Sequence, residues 1–387
     1  MNKNFNIIGF TVLIGIWCYQ HTFKNDKEAT SLNLSNRIIT SLNADIQDCK
    51  NLVNLNLRGN LLRILPGEIG SLENLKVLYL DNNLLIAIPG EIGNLRSLEV
   101  LTLYTNKLTY LPDNIGNLVS LRELYVQENQ LRSLPAGITK LENLNVLHLS
   151  RNHLESLPDE MWQMKALKEL SLDRNRFKNF PVSLTELAHL DTLWLNKNFL
   201  ESVAPEIGNL KQLTTLYLDS NYLKKLPEEI GGMENLERLI LNKNQLKALP
   251  KAIGKLKNLK ELQLQFNSLK YFPNEIGNLL ALEILTACKN KLTFLPDEIS
   301  NLSNLKMLRL SSNRLVSLPD DFGKLSNLQV IRLENNFLKF LPKTIVNLTQ
   351  SLIFFKLQQN NLAEEPGKVG LGKKELRNAF HSSVICL

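Results

Sequence analysis

Asparagine recurs every 23 residues through most of this 387-residue chain, and this spacing limits the fold more strongly than any other feature. The regularly spaced positions are Asn60, Asn83, Asn106, Asn129, Asn152, Asn175, Asn198, Asn221, Asn244, Asn267, Asn290, Asn313 and Asn336. Asn360 follows one residue late, and Arg37 holds the same register one step before the first. A fixed period of this length marks an array of small structural units that stack on their neighbours. We therefore expect fifteen units.

Leucines surround each asparagine in a constant pattern. The unit reads Leu-x-x-Leu-x-Leu-x-x-Asn-x-Leu-x-x-Leu-Pro-x-Glu-Ile-Gly-x-Leu, as in residues 98–118, where Asn replaces the Glu. Leu101 and Leu103 flank Thr102, and this period of two is typical of a short strand. We expect the two leucines to point into a core, while Thr102 and Tyr104 point outward.

The asparagines and prolines have structural explanations within the unit. Each asparagine stands where the chain leaves the strand, and its amide satisfies backbone groups that water cannot reach. Thirteen of the 14 prolines lie six residues after these ladder positions, and Pro205 is displaced by one. Proline suits the start of a short helical turn because its φ is fixed and it lacks an N–H. The predicted fold is an α/β leucine-rich repeat solenoid, a horseshoe with a parallel sheet on the concave face and short helical turns on the convex face.

The repeat array spans residues 32–366, after two segments of different composition. In residues 1–19, Lys3 precedes an apolar stretch that is too short for a membrane span and is typical of an export signal. The alternative is an apolar cap on the first unit, and lipidation of Cys18 is a further alternative. Residues 20–31 are a polar lead-in.

The C-terminal residues 367–387 leave the repeat. Leu371, Leu376 and Phe380 recur at roughly helical spacing. The last unit of a solenoid exposes an apolar edge that needs a cover. We predict that this tail is a helical cap, with a partner-binding helix as the alternative.

Partner recognition would be encoded at the variable, outward-facing strand positions, because the repeat leucines form the core. One such position lies between the two strand leucines, and another lies two residues before the ladder asparagine. Aromatic residues cluster there, and aromatics are common anchors of protein interfaces. The alternative explanation is that tyrosine simply suits exposed strand positions. The candidate partner-binding residues are Tyr79, Asp81, Tyr104, Tyr125, His148, Asp173, Trp194, Tyr217, Asp219, Arg309 and Arg332.

Composition and motifs argue against several classes of function. The sequence contains no phosphate-binding loop, nucleophile elbow or metal-ligand spacing, so we predict no catalytic residues, no metal and no cofactor. Residues 286–387 carry 14 Lys/Arg and 8 Asp/Glu, which leaves only +1 of the net charge of +7 for the rest of the chain. This is a basic end without a basic tract or recognition motif, so we predict no nucleic-acid binding.

The Leu-Pro-x-Glu-Ile-Gly-x-Leu phrase, as in residues 226–233 and 272–279 with small changes, resembles two groups of proteins. One is the exported leucine-rich repeat family of pathogenic leptospires, and the other is the intracellular Ras-group scaffolds and their plant relatives. The signal-like N-terminus is more similar to the leptospiral proteins. That resemblance implies an exported protein, secreted or on the outer surface, that contacts a host.

Three hypotheses of function follow. The first is a non-enzymatic, exported module that binds a protein partner through the concave face, with membrane attachment only through an N-terminal anchor. The second is a cytoplasmic scaffold for a small GTPase or similar regulator. The third is a glycan-binding surface formed by the aromatic residues.

Overall fold

The computed structural model describes residues 28–365 and 370–387. The chain divides into two compact units: unit 1 ends at Phe177, and unit 2 runs from Lys178 to Leu387. Every coil except the last consists of a three-residue strand, a turn at the ladder position and a short 3-10 helix. The signal-like segment, most of the polar lead-in and Pro366 lie outside the described residues.

Unit 1 contains one parallel sheet whose strands follow chain order. Paired strands are in register at a distance of one repeat, so Leu55 pairs with Leu78 and Leu78 with Leu101. The strands are β1 Ser31–Asn33, β2 Asn54–Asn56, β3 Val77–Tyr79, β4 Val100–Thr102, β5 Glu123–Tyr125, β6 Val146–His148 and β7 Glu169–Ser171. The 3-10 helices are Ala44–Asp48, Gly67–Ser71, Gly90–Asn94, Asp113–Asn117, Ala136–Lys140 and Asp159–Gln163.

Unit 2 repeats the same plan and ends in an α-helix and a short additional strand. Its strands are β8 Thr192–Trp194, β9 Thr215–Tyr217, β10 Arg238–Ile240, β11 Glu261–Gln263, β12 Ile284–Thr286, β13 Met307–Arg309, β14 Val330–Arg332, β15 Phe354–Lys356 and β16 Ile385–Cys386. Helix α1 is Lys373–Ala379. The 3-10 helices are Val182–Glu186, Pro205–Asn209, Glu228–Gly232, Lys251–Lys255, Asn274–Asn278, Asp297–Asn301, Asp320–Lys324 and Lys343–Leu348.

The leucines of the repeat form the core, and the predicted asparagine ladder is confirmed. Leu55 and Leu57 are fully buried, as are their equivalents in the following coils. The Asn83 side-chain oxygen accepts the N–H of Leu62 at 3.1 Å, and its amide group donates to the carbonyls of Leu57 and Leu80, each at 3.0 Å. Each ladder side chain therefore ties its own turn to the coil before it.

The prolines lie where the sequence predicts, immediately before the 3-10 helices. Pro66 precedes the helix that begins at Gly67, and its backbone is extended, with φ −70° and ψ 149°. Pro205 is the exception because its displacement by one residue makes it the first residue of its helix, after Ala204. Both positions tolerate a residue without an N–H, because the first N–H groups of a helix have no partner inside it.

The C-terminal tail differs from a simple helix. Helix α1 ends at Ala379, and β16 then pairs in parallel with β15. Backbone N–H groups of Phe355 and Leu357 donate to carbonyls of the tail at 2.8 and 2.7 Å. The last strand of an array leaves an unpaired backbone edge, and β16 covers it. Helical spacing in the sequence does not reveal this strand pairing. Phe380 is 3 % exposed, and its ring lies 5.6 Å from that of Phe355.

Within residues 28–365 and 370–387, no helix combines the length and the apolar character required to cross a membrane.

Candidate functional site

Three residues of each coil lie on the exposed face of the sheet. We call them the first, second and third sheet positions: in one coil they are Val77, Tyr79 and Asp81, which alternate with inward leucines. Residues at the same position of neighbouring coils face one another across about 4.8 Å. All candidate contact residues predicted from the sequence lie at the second and third positions, and none lies at the first.

Asp81 is the centre of a buried polar cluster in unit 1. Its side chain is 1 % exposed, so the prediction from the repeat pattern that Asp81 is exposed to a partner is wrong. The carboxylate lies 3.0 Å from the Arg58 guanidinium and accepts hydrogen bonds from the hydroxyl of Thr102 at 2.7 Å and the amide of Asn82 at 2.9 Å. Burial, together with this nearby carboxylate, raises the pKa of the Tyr104 phenol. Asp81 therefore organises its neighbours instead of facing a partner.

Thr102 shares this burial, with 6 % of its surface exposed, although it points to the outward side of the sheet as predicted. Tyr79 and Tyr104 remain accessible on either side of it, and Tyr79 is 38 % exposed. The Arg58 guanidinium lies 6.0 Å from the centre of the Tyr104 ring, within the range of a cation–π contact.

Tyr125 and His148 are neighbours on the next two strands, where they meet edge to face. Their ring centres are 5.1 Å apart and the rings are almost perpendicular, at 88°. The Tyr125 hydroxyl donates to Glu123 at 2.9 Å, and Nε2 of His148 lies 3.9 Å from a carboxylate oxygen of Glu169. Asp173 is close by and accepts a hydrogen bond from Ser171. Unit 1 therefore presents an aromatic pair bordered by carboxylates.

Burial perturbs both rings of this pair. It raises the pKa of Tyr125 to about 12, with further contributions from the hydrogen bond and charge of Glu123. Burial also lowers the pKa of His148, and the nearby carboxylates of Glu169 and Asp173 oppose that shift without reversing it. Both rings are therefore uncharged at neutral pH, which suits contact with the apolar part of a partner.

Unit 2 contains a second aromatic pair, Trp194 and Tyr217, in register on β8 and β9. Their rings are almost parallel, at 6°, with centres 5.8 Å apart. The Arg238 guanidinium lies 6.0 Å from the Tyr217 ring centre and also bonds Glu261 at 2.8 Å. Asp219 lies two residues after Tyr217 and is half-buried, and this burial raises the pKa of its carboxyl group.

Arg309 and Arg332 lie in register on β13 and β14, and Lys356 continues the row on β15. We call these three residues the basic strip. All three are half-buried second-position side chains on the outward side of unit 2.

Sequence reasoning missed the charged residues at the first sheet position. Glu123 and Glu169 border the Tyr125–His148 pair, and Arg238 extends the Trp194–Tyr217 pair. The signal was present, because the residue before the first strand leucine is also outward by the alternation of a strand. Among the described residues, no group of three or more His, Cys, Asp or Glu side chains could hold a metal ion.

Family comparisons agree with this architecture. The family model described as "Leucine-rich repeat region" matches residues 90–203 and 201–295. Two further models, "Leucine rich repeat" and "Leucine Rich Repeat", match residues 281–338 and 74–95. Among curated proteins, no sequence matches this chain.

Several solved structures share the fold. A leucine-rich repeat protein of Leptospira interrogans is 35 % identical, with a TM-score of 0.79 over 95 % of this chain and 98 % of that one. The plant peptide hormone receptor RGFR1, solved in complex with RGF2, is 31 % identical with a TM-score of 0.71, and the match covers 87 % of this chain but 60 % of the receptor. The leucine-rich effector YopM of Yersinia pestis is 26 % identical with a TM-score of 0.64, covering 93 % of this chain and 91 % of that one.

Proposed function

Because this chain belongs to the leucine-rich repeat family, we propose that it is a non-enzymatic module that binds a protein partner through the exposed face of its sheet. The contact residues that we propose in unit 1 are Tyr79, Tyr104, Tyr125, His148 and Asp173. Those that we propose in unit 2 are Trp194, Tyr217, Asp219, Arg309 and Arg332. Asp81 is removed from the contact set because its carboxylate is buried beneath its neighbours.

The observation that carries this proposal is the pairing of aromatic rings at positions that the core does not use. Tyr125 packs on His148, and Trp194 packs on Tyr217, so each ring is held in place by its neighbour before a partner arrives. A rigid aromatic side chain loses little conformational entropy on binding, which is why such residues are over-represented among interface hot spots. The carboxylates beside Tyr125 and His148 would add specificity for a partner that carries positive charge there.

We further propose that the protein is exported and acts at the cell surface or beyond it. Support comes from the signal-like composition of residues 1–19 and from similarity over almost the full length to a leptospiral leucine-rich repeat protein. Contact with host proteins is the corresponding proposal for the partner. The alternative hypothesis, a cytoplasmic scaffold, would need no export signal.

Binding is tested with 12-residue peptides displayed in a random library and selected on the full chain. We expect the Tyr125/Trp194/Tyr217→Ala variant to lose affinity for the selected peptides by about 2 kcal/mol or more, as expected for hot-spot residues. The matched control is Tyr110/Trp162/Tyr271→Ala, which also removes two tyrosines and one tryptophan, 54, 42 and 45 % exposed, away from the sheet positions. Both variants must retain the wild-type melting curve. If only the control loses affinity, the binding surface lies near Trp162 and not on the sheet.

Export is tested by fractionating cells that express the full chain and treating intact cells with protease. We expect the protein outside the cytoplasm or degraded on intact cells. A protein that is fully protected and cytoplasmic would favour the scaffold hypothesis.

A further inference from the structure

The basic strip places three cations directly opposite one another on adjacent parallel strands. Arg309 pairs in register with Arg332, and Arg332 with Lys356. Neighbouring strands are about 4.8 Å apart, and like charges at directly opposite positions destabilise a sheet. The arrangement therefore has an electrostatic cost that the fold does not require, because the leucine pattern leaves these positions free to vary.

The other cations at sheet positions are neutralised within the chain. Arg58 lies 3.0 Å from Asp81, and Arg238 lies 2.8 Å from Glu261. By contrast, the side chains of the basic strip form no ion pair with any residue in the described part of the chain. Glu334 is the one acid at the nine sheet positions of β13 to β15, so the net charge there remains positive.

The guanidinium groups of the strip also have unused hydrogen-bonding capacity. The Nε atoms of Arg309 and Arg332 are buried, and neither has a hydrogen-bond partner among the described residues. A buried donor without a partner costs free energy. An anionic group placed over the strip would neutralise the repeated charge and accept from whichever guanidinium N–H groups face it.

An apolar row runs beside the basic strip. The first sheet positions of the same strands are Met307, Val330 and Phe354, and the Phe354 ring lies 5.4 Å from the Arg332 guanidinium and 5.1 Å from the Lys356 ammonium. Ile353, next to Phe354, is 65 % exposed. The cations and the apolar row together form a surface that is charged along one line and apolar along the next.

We propose that the basic strip is a docking site for an acidic protein segment. Carboxylate side chains of the segment pair with Arg309, Arg332 and Lys356, while its apolar side chains contact Met307 and Phe354. This inference rests on the proposed protein-binding function and specifies the chemistry of one partner segment. The apolar row favours a protein over a nucleic acid, because a phosphate backbone offers nothing for Met307 and Val330 to contact and draws its affinity from many cations.

The test uses the full chain and the same 12-residue random peptide library. Selection is run on the wild type, on the Arg309/Arg332/Lys356→Gln variant and on a control with Lys291, Arg314 and Lys339 replaced by Gln. The control removes the same charge from exposed residues that follow strands β12, β13 and β14 and lie outside the sheet positions. Thermal melting confirms that both variants are folded.

We expect peptides rich in Asp and Glu from the wild type and the control, and their loss from the strip variant. Individual acidic peptides should bind the strip variant on the order of tenfold more weakly or worse. Raising the salt concentration from 50 to 500 mM should weaken their binding to the wild type more than their binding to the variant.

Three results would overturn the inference: acidic peptides that bind the strip variant as well as the wild type, selected peptides without enrichment in acids, or a single-stranded DNA of equal charge that binds the strip more tightly than the acidic peptides. If the selected peptides are not acidic but bind the Tyr125/Trp194/Tyr217→Ala variant more weakly than the wild type, this inference fails and the proposed function is still supported. If no peptide binds the chain at all, the proposed function fails together with this inference.

Discussion

A ladder asparagine uses both the oxygen and the nitrogen of its side-chain amide in hydrogen bonds to the backbone. The Asn221 oxygen accepts the N–H of Leu200, and its amide group donates to the carbonyls of Leu195 and Leu218, all at 3.0 Å. Asn221 is 5 % exposed, so water does not replace these contacts when the side chain is removed. A buried backbone group left without a partner costs about 1–3 kcal/mol.

We therefore expect Asn221→Ala to lower the free energy of unfolding by about 1–3 kcal/mol or more, and Asn175→Ala to do the same. Asn258→Ala is the control, because Asn258 is exposed and donates to a single carbonyl, that of Glu234, at 2.9 Å. Its loss should cost about 1 kcal/mol or less. Melting temperatures of the three variants decide the question, and equal losses at Asn221 and Asn258 would contradict the ladder explanation.

The pH dependence of stability should carry a contribution from His148. Burial lowers the pKa of His148 in the folded chain, so the unfolded chain takes up the proton first as the pH falls below the unfolded pKa of about 6.5. The contribution of His148 to the free energy of unfolding is therefore complete above the unfolded pKa. It is lost as the pH falls from the unfolded pKa to the folded pKa. We expect His148→Gln to lose less melting temperature than the wild type between pH 7.5 and 5.5. An unchanged loss would remove His148 as the cause.

At the residue scale, the sequence predicts the burial of the repeat leucines and asparagines but not that of Asp81. A leucine is buried because of its place in the unit, and that place can be counted. Asp81 is buried because Arg58 and Thr102, on the coils before and after it, surround its carboxylate. Such pairing depends on which side chains meet at variable positions of neighbouring coils, and the repeat pattern says nothing about those combinations.

The 3-10 helices determine where the repeat requires glycine. An added Cβ at Gly93 would lie 2.4 Å from the backbone oxygen of Asn114 in the next coil, which no rotamer change relieves. Gly90 begins the same helix, and a Cβ there would meet only the side chain of Asn114, at 3.4 Å. Gly93 is therefore a packing requirement between its own coil and the next, whereas other coils hold Thr139, Thr185 or Ser300 at the same place in the unit.

These two positions provide a matched pair of substitutions. We expect Gly93→Ala to destabilise the protein by about 1–3 kcal/mol, because the next coil must move. Gly90→Ala should be neutral, or stabilising by about 0.4–1 kcal/mol through the reduced entropy of the unfolded chain. Denaturant unfolding of both variants measures the difference. A Gly90→Ala variant as unstable as Gly93→Ala would show that contact with the next coil is not the reason for the glycine.

At the element scale, the sequence predicts a strand and a helical turn in every coil but misses elements that do not repeat. One repeated feature was missed as well: a second asparagine position, used by Asn74 and Asn258, whose side chains donate to backbone carbonyls of the coil before. Strand β16 was also missed, because Ile385 and Cys386 join the sheet by backbone pairing and carry no leucine pattern. Periodicity in the sequence identifies elements that repeat. A strand at the end of the sheet forms instead because the neighbouring strand has unpaired backbone groups, and periodicity does not show this.

At the scale of the whole molecule, stability should be the sum of coils and of contacts between adjacent coils. Within unit 2, β10 pairs with β9 and with β11, each in register at one repeat. Asn244 bonds the carbonyl of Leu218, and Asn267 bonds that of Leu241, in the same geometry. One coil is therefore interchangeable with the next as far as the backbone is concerned.

Deleting residues 238–260 removes one complete repeat from unit 2 and tests this modularity. The deletion puts Glu261 in the place of Arg238, one repeat earlier, so Asn267 would take over the bond of Asn244 to the carbonyl of Leu218. We expect a folded protein with an unchanged circular dichroism shape and a melting temperature lower by on the order of 5 °C. Deleting residues 239–260 is the control, since a register error of one residue turns inward leucines outward. That control should unfold locally and bind a hydrophobic dye, and identical behaviour of the two deletions would contradict the modular account.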